Sequence, residues 1–218
     1  LKDGKVTGLA TEVVQAILKE VNVEANIQIL PWARALQVVD ENENTAIYAM
    51  SRSAEREAKY KWVGVLYEAK NYIYAIPEKN IKISTLDDCK KYKIGVVTKE
   101  IREDYLVKKG FSTEVTLEHV NKHDLNYKKL KNGRIDLWPA SEFLAASIVK
   151  ENGDDPRTAI VPVFEMTDLT PYSGSFLAFG PKTSDEVVAK FKEGYEKIKA
   201  NGTYDSLQKK WRDVIFAK

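Results

Sequence analysis

Apolar positions along the chain follow two periods, one typical of strands and one typical of helices. Short apolar runs such as Ile94–Val97 and Ser175–Phe179 predict buried strands. Between such runs, in residues 13–21 and 187–198, apolar residues recur every three or four positions, which predicts amphipathic helices. Because predicted strands and helices alternate, the pattern indicates an α/β fold with parallel sheets.

The same periods place the remaining elements. Residues 26–30 alternate as a half-buried strand, and Pro31 then opens a helix with apolar positions at 35, 36, 38 and 39. Further strands are predicted at 46–50, 62–67, 71–76, 115–120, 135–138 and 159–164, and further helices at 86–92, 101–108, 124–131, 139–150 and 204–214.

Side chains that can cap helices predict where three helices begin. Thr11 stands directly before Glu12 and the first amphipathic run. Thr183 and Glu186 have the spacing of a capping box. Pro139 follows a strand and is expected to open the next helix, because proline is favoured in the first helical turn.

Composition limits the classes of function. The chain has 218 residues, 44% of them hydrophobic, which is enough for one large core or two small ones. Lys and Arg total 34 against 32 for Asp and Glu, and the charges are interspersed. This balance shows no footprint of nucleic-acid or membrane binding. No apolar run reaches the roughly 18 residues of a membrane span, and no signal-peptide pattern stands at Leu1, so a mature or trimmed form is expected.

Residues that commonly carry chemistry are few. Cys89 is the one cysteine and lies in a polar stretch, so we interpret it as incidental. His119 and His123 are four residues apart but straddle a predicted strand end and loop, without cysteine or a carboxylate cluster, so no metal site is expected. We find no nucleophile–base pair and no phosphate-binding loop.

A cluster of hydrogen-bond donors follows the strand at 46–50. Ser51 and Ser53 lie at the strand end, and Arg56 lies at the start of a short helical turn. Hydroxyls, helix N-terminal amides and a guanidinium together suit an anionic group. The alternative is a solvated loop in which Arg56 pairs with Glu55, Glu57 or another surface acid.

The segment 51–67 resembles a pattern of the family 3 extracellular solute-binding proteins, the polar amino acid-binding type of ABC transporter receptor. It matches their Ser/Thr-x-Thr-x-x-Arg segment and the aromatic-Val-Gly-x-x-Tyr segment that follows. The segments 31–36, 133–136 and 201–211 are also similar to family segments, and the last is the most specific match. By this resemblance, Arg56 binds the α-carboxylate of a ligand and Ser51 assists.

The resemblance implies a two-lobed periplasmic binding protein type II (Venus-flytrap) fold, α/β, with two crossing hinge strands. Lobe 1 is expected to comprise residues 1–68 and 176–218, and lobe 2 residues 69–175, with hinges near 69–72 and 170–175. In the family a first β-strand precedes residues 1–8 and carries an aromatic residue of the ligand site. No such strand precedes residues 1–8 here: either the sequence is truncated or the protein departs from its relatives, and one wall of the site is not assigned.

Two family determinants of amino-acid binding are altered. Glycine and threonine of the family become Lys99 and Glu100, and a glutamate there would satisfy the helix dipole and repel a carboxylate. An aspartate that holds the ligand ammonium becomes Ser141, followed by Glu142. Trp32 is a candidate to stack on a ligand, although it could equally cap the local core. The ligand-binding residues implied by the resemblance are Trp32, Arg34, Met50, Ser51, Arg56, Val97, Glu100, Ile101, Trp138 and Ser141.

The resemblance implies a non-enzymatic receptor that captures a small polar solute between its lobes, without cofactor or metal, and delivers it to an ABC transporter permease. The expected form is a monomer in the periplasm, or extracytoplasmic and lipid-anchored. Because two determinants are altered, we expect a ligand other than a standard α-amino acid. The alternatives are a sensor domain of a membrane receptor, a degenerate scaffold without ligand, and a periplasmic dehydratase of the cyclohexadienyl type that uses Glu100 or Glu142 as general acid.

Overall fold

The computed structural model describes residues 6–172 and 174–216. The chain divides into two compact units, which we describe separately. Unit 1 comprises residues 1–30, 34–68 and 172–218, and unit 2 comprises residues 31–33 and 69–171.

Unit 1 is built on a three-stranded antiparallel sheet in the order β1-β8-β2. Helix α1 packs against β2, α8 and α9. The strands of this unit are β1 (Ala46–Met50), β2 (Lys61–Tyr67) and β8 (Ser175–Phe179), and the helices are α1 (Leu9–Glu20), α2 (Trp32–Glu41), α3 (Ala54–Glu57), α8 (Asp185–Ala200) and α9 (Thr203–Phe216), of which α2 begins within residues 31–33.

Two glycines allow helix α8 to approach the sheet of unit 1 and helix α1 closely. Gly64 of β2 leaves room for the ring of Tyr195, whose hydroxyl donates a hydrogen bond to the backbone oxygen of Val65 at 2.8 Å. Gly194 of α8 faces α1, and a Cβ atom there would lie 2.6 Å from a methyl group of Val21. The apolar stripe of α1, which includes the fully buried Val13, therefore packs directly on α8.

Unit 2 contains two sheets. Strands β6-β3-β7 form an antiparallel sheet, and β4 pairs in parallel with β5. The strands are β3 (Asn71–Ala75), β4 (Ile94–Val97), β5 (Leu117–Val120), β6 (Trp138–Ser141) and β7 (Val161–Glu165). The α-helices are α4 (Ile101–Lys108), α5 (His123–Lys131), α6 (Glu142–Glu151) and α7 (Pro156–Ala159), and 3₁₀ segments cover Pro77–Lys79 and Leu86–Lys91.

The expectation of parallel sheets is wrong for both three-stranded sheets. It assumed that each helix connects two neighbouring parallel strands. Instead, β8 comes from the far end of the sequence and lies between β1 and β2, antiparallel to both. No helix separates β2 from β3.

Other predicted elements are corrected as well. Residues 26–30 form no strand, because no strand in the described part of the chain pairs with them, and Ile29 is largely exposed. Pro139 does not open a helix but lies within β6, opposite Ile73 of β3. Strand β6 is the outer strand of the order β6-β3-β7, and β4 meets it only through an isolated bridge at Leu137, before Pro139. A proline can be accommodated there because no outer ladder in the described residues needs its missing N–H. The predicted strands at 115–120 and 159–164 begin two residues late, at Leu117 and Val161.

Three predicted helix starts are also corrected. Helix α1 begins at Leu9 after Gly8, and the Thr11 hydroxyl hydrogen-bonds the Tyr48 hydroxyl at 3.1 Å instead of capping the helix. Helix α8 is capped by Ser184, whose Oγ accepts from the amide of Val187 at 3.3 Å, and not by Thr183. Helix α5 begins one residue before Asp124.

Candidate functional site

The donor cluster of unit 1 lies where β1 passes into α3. The strand ends at a β-bulge in which Ala49 has a φ of 58°, a left-handed conformation that is unusual for alanine. Ser53 is the N-cap of α3, and its Oγ accepts a hydrogen bond from the amide of Arg56 at 3.4 Å. The bulge and the cap together fix the segment that carries Ser51.

Arg56 is folded back onto this segment. Its guanidinium Nη1 donates to the backbone oxygen of Ser51 at 3.1 Å, and the residue is only 9% exposed. The structure therefore brings Ser51 and Arg56 together, as the sequence pattern predicted. A buried guanidinium beside a strand end is suited to bind a small anion.

Arg52 was not among the predicted site residues. Its guanidinium donates two hydrogen bonds to the carboxylate of Glu57. The same guanidinium carbon lies 4.6 Å from the ring centroid of Tyr172, 5.2 Å from that of Trp62 and 5.7 Å from that of Phe176. Glu57 was proposed above as a surface partner of Arg56; the structure pairs it with Arg52. Only the aromatic partners, distant in sequence, distinguish Arg52 from an ordinary surface arginine.

In unit 2, the turn between β4 and α4 is held by carboxylates of the chain. Glu100 is the N-cap of α4, and its Oε2 accepts from the amide of Arg102 at 3.1 Å, while its Oε1 accepts from the Arg102 guanidinium. The amide of Lys99 donates to the carboxylate of Glu103. Burial raises the pKa of Glu100, but the Arg102 charge and hydrogen bonds outweigh burial and hold that pKa below its usual range. Glu100 is therefore ionised at neutral pH.

Arg102 is the second site feature that sequence reasoning missed. It is 5% exposed, and its Nη2 donates to Oδ1 of Asn71 at 2.6 Å. Asn71 pairs with Ser141 across strands β3 and β6. Ser141 in turn caps α6, accepting from the amide of Leu144 at 3.4 Å. Glu100, Arg102, Asn71 and Ser141 thus lie in one chain of neighbours within unit 2.

His123 and Trp138 form a buried pair beside this cluster. The indole Nε1 of Trp138 donates to Nδ1 of His123 at 3.3 Å, and Trp138 is completely buried. Burial and the nearby Arg102 charge lower the pKa of His123 to about 4, against the opposing effect of Glu100. The imidazole is therefore neutral at neutral pH, as an acceptor nitrogen requires.

The remaining predicted site residues occupy different environments. Trp32 is half-buried and its Nε1 donates to the backbone oxygen of Lys99 at 2.8 Å, within unit 2. Arg34 is exposed and donates to Gln37 at 2.8 Å. Four predicted residues have buried side chains that pack inside the units: Met50, Val97, Ile101 and Trp138. Whether these residues bind a ligand stays a prediction.

The histidines contribute to no metal site in the described residues, where no group of three or more potential metal-ligating side chains occurs. His119 pairs instead with Glu103 at 2.6 Å. Among the helices of residues 6–172 and 174–216, none has the length and apolar character of a membrane span.

Solved structures define the class of fold. An ancestral arginine-binding protein bound to arginine superposes with a TM-score of 0.82 at 23% identity, covering 97% of this chain and 90% of that one. A histidine kinase sensor domain described as similar to periplasmic binding proteins gives a TM-score of 0.82 at 19% identity, covering 97% and 88%. The chain therefore has the fold of the two-lobed periplasmic binding proteins, and that prediction is confirmed.

The sequence comparison identifies the family. Residues 1–214 match the profile of the bacterial extracellular solute-binding proteins, family 3, and the chain belongs to this family. The arginine-binding extracellular protein ArtP of Bacillus subtilis (strain 168) is 24% identical over 216 residues, which are 96% of this chain and 80% of that protein. A probable histidine-binding protein of Campylobacter jejuni is 27% identical over 218 residues, covering 96% and 78%.

Proposed function

We propose that the chain is the extracytoplasmic receptor of an ABC importer and binds a small polar solute without chemically changing it. The observation that carries the proposal is the Ser51–Arg56 segment, in which a helix N-cap, a strand-end carbonyl and a buried guanidinium are held together. Family membership over residues 1–214 supports the same function.

The residues predicted to bind the solute narrow its chemical class. Unit 1 offers Arg56 and Ser51 to an anionic or strongly polar group of the solute. Unit 2 offers the turn at Glu100, where the family pattern expects threonine, and Ser141, where it expects aspartate. We infer a polar solute other than a standard α-amino acid, although the relatives named above are described as binding arginine and histidine.

The partners and location follow from the family. The receptor would deliver its solute to the membrane-embedded permease of the importer, and it would act outside the cytoplasmic membrane as a monomer. Solute binding can favour transport only if the permease recognises the solute-bound state better than the empty state.

A thermal-shift screen tests the proposal. A solute that binds only the folded state raises the free energy of unfolding by mass action, by about 2.7 kcal/mol at a solute concentration of a hundred times Kd. The unfolding midpoint rises accordingly. We expect one class among amino acids, organic acids, polyamines, sugars and nucleosides to raise the midpoint in a saturable manner. No shift with any of these classes would count against a receptor for small polar solutes.

A sensor domain is the second candidate, and the likeness to a histidine kinase sensor domain favours it. A sensor would also bind a solute, so the screen does not separate the two. The complete gene product does: a kinase or cyclase module in the same polypeptide would support the sensor, and a genetically adjacent permease would support the importer.

The dehydratase alternative finds less support. A general acid must be protonated at the working pH, whereas Arg102 keeps Glu100 ionised. The relatives named above are described as binding proteins. Turnover of prephenate or arogenate by the purified chain, abolished by Glu100→Gln, would reinstate the enzyme.

A further inference from the structure

The N-terminus of helix α4 has the features that ordinarily bind an anion. A helix N-terminus presents free amide groups and a partial positive charge, and α4 has eight residues. Here a buried guanidinium, that of Arg102, lies at the same point. Two donors for a carboxylate, an N-terminal amide and a guanidinium, therefore converge at the positive end of the helix dipole.

Carboxylates of the chain already fill this place. Glu100 bonds both the amide and the guanidinium of Arg102, and Glu103 bonds the amide of Lys99. Glu100 is 8% exposed and is held in its ionised form by Arg102. A carboxylate arriving from solution would meet occupied donors and two negative charges.

We propose that Glu100 is a specificity-determining residue. Its carboxylate occupies the anion-binding position at the N-terminus of α4 and excludes ligand carboxylates from that position. The inference rests on the proposed function, because it assumes that the β4–α4 turn faces the solute. It deepens that function by naming the class: a group of the solute that binds at the N-terminus of α4 is uncharged or cationic.

Truncation of the Glu100 side chain should make the anion-binding position at the N-terminus of α4 available. In Glu100→Ala, the amide and Nη1 of Arg102 lose their acceptor, and its buried Nε has no hydrogen-bond partner in the described structure even with Glu100 present. A small carboxylate such as acetate could then replace the missing side chain. Lys99 keeps its bond to Glu103, so its amide serves as an internal control.

The experiment follows the backbone amide signals by NMR while the protein is titrated with sodium acetate, with sodium chloride as the ionic-strength control. We expect a saturable, acetate-specific shift of the Arg102 amide in Glu100→Ala and a weaker one in Glu100→Gln, whose amide oxygen remains an acceptor. The wild type and Asp104→Asn, which removes an exposed negative charge from the same helical turn, should show none.

Two results would overturn the proposal. A saturable acetate-induced shift of the Arg102 amide signal in the wild type would mean that Glu100 does not exclude acetate from this position. This result does not depend on the folding of any variant. The absence of an acetate-specific shift in folded Glu100→Ala would mean that Glu100 is not the residue that keeps acetate out. Because acetate is the probe, neither result depends on finding the solute, so failure of the solute screen remains a separate outcome.

Discussion

The guanidinium of Arg52 donates two hydrogen bonds to the carboxylate of Glu57 while lying over the rings of Tyr172, Trp62 and Phe176. This arrangement connects the segment between β1 and α3 to Trp62 of β2, to Tyr172 and to Phe176 of β8. Stacking on aromatic rings adds to the ion pair a contribution that salt screens less than a surface charge interaction.

Arg52→Leu should therefore lower the thermal midpoint more than Arg157→Leu. Arg157 makes a similar double contact with the carboxylate of Asp155, but among the described residues its guanidinium lies over no aromatic ring. Thermal denaturation at low and high salt measures both variants. Equal losses that vanish together in high salt would show that the rings contribute nothing at Arg52.

The backbone conformation at Lys99 favours glycine over alanine at this position. Lys99 has a φ of 63°, in the left-handed region that costs a side chain about 1–2 kcal/mol and glycine almost nothing. Lys99→Gly should be more stable than Lys99→Ala by about 0.5–1 kcal/mol, after allowing for the larger unfolded-state entropy of glycine. Urea denaturation of the two variants isolates the backbone effect, because both lack the lysine side chain. An alanine variant as stable as the glycine variant would argue against strain at this position.

His123 predicts a pH dependence of stability. The pKa of His123 in the folded protein is about 4, below the ordinary histidine value near 6.5. Between these two pH values the imidazole is protonated in the unfolded state but not in the folded state. Its contribution is fully present above about pH 6.5 and is lost as the pH falls towards 4, by roughly 3 kcal/mol. Urea denaturation at neutral and acidic pH should show a shallower loss for His123→Asn, whose side-chain oxygen can still accept from Trp138.

His119→Asn is the matched control for this titration. It removes the other histidine of the sequence, which is paired with Glu103 and partly exposed. We expect the control to keep the acid sensitivity of the wild type. If His123→Asn and the wild type lose stability in parallel between neutral pH and pH 4, the buried neutral imidazole is not the cause.

Cys89 should be unreactive in the folded protein. The thiol is fully buried, and burial raises its pKa to about 12, so almost no thiolate is present at pH 8. A thiol-reactive disulfide reagent should label the native protein only at the rate of unfolding, and label one equivalent at once in denaturant, since the sequence has one cysteine. Rapid stoichiometric labelling of the native protein would contradict the burial of Cys89.

How far the sequence predicts the fold depends on whether an element is determined locally. Strands β4 and β8 were predicted with their observed bounds because each is a bounded run of buried apolar residues. Residues 26–30 alternate as a half-buried strand would, but they find no neighbouring strand in the described residues, and a local pattern does not determine pairing. The strand at Pro139 was missed because its tolerance of proline depends on its place at the edge of the sheet.

The candidate site shows the same limit. Ser51 and Arg56 are five residues apart, and a short motif sufficed to place them together. Arg102 was missed because its partner Asn71 is 31 residues away, and a charged residue on a helix is ordinarily expected to be exposed. Arg52 was missed because its three rings come from β2 and from residues beyond 170.

The most direct test of the central claim is a calorimetric titration of the purified chain with the solute found by the screen, repeated with Arg56→Ala, Arg56→Lys and the exposed control Arg157→Ala. Loss of a charge-assisted hydrogen-bonded contact of about 2–3 kcal/mol weakens binding by roughly 30- to 150-fold. A receptor that uses the Ser51–Arg56 segment should show this loss in Arg56→Ala and only partial recovery in Arg56→Lys, with Arg157→Ala unchanged. Binding by folded Arg56→Ala as tight as that of the wild type would contradict the account.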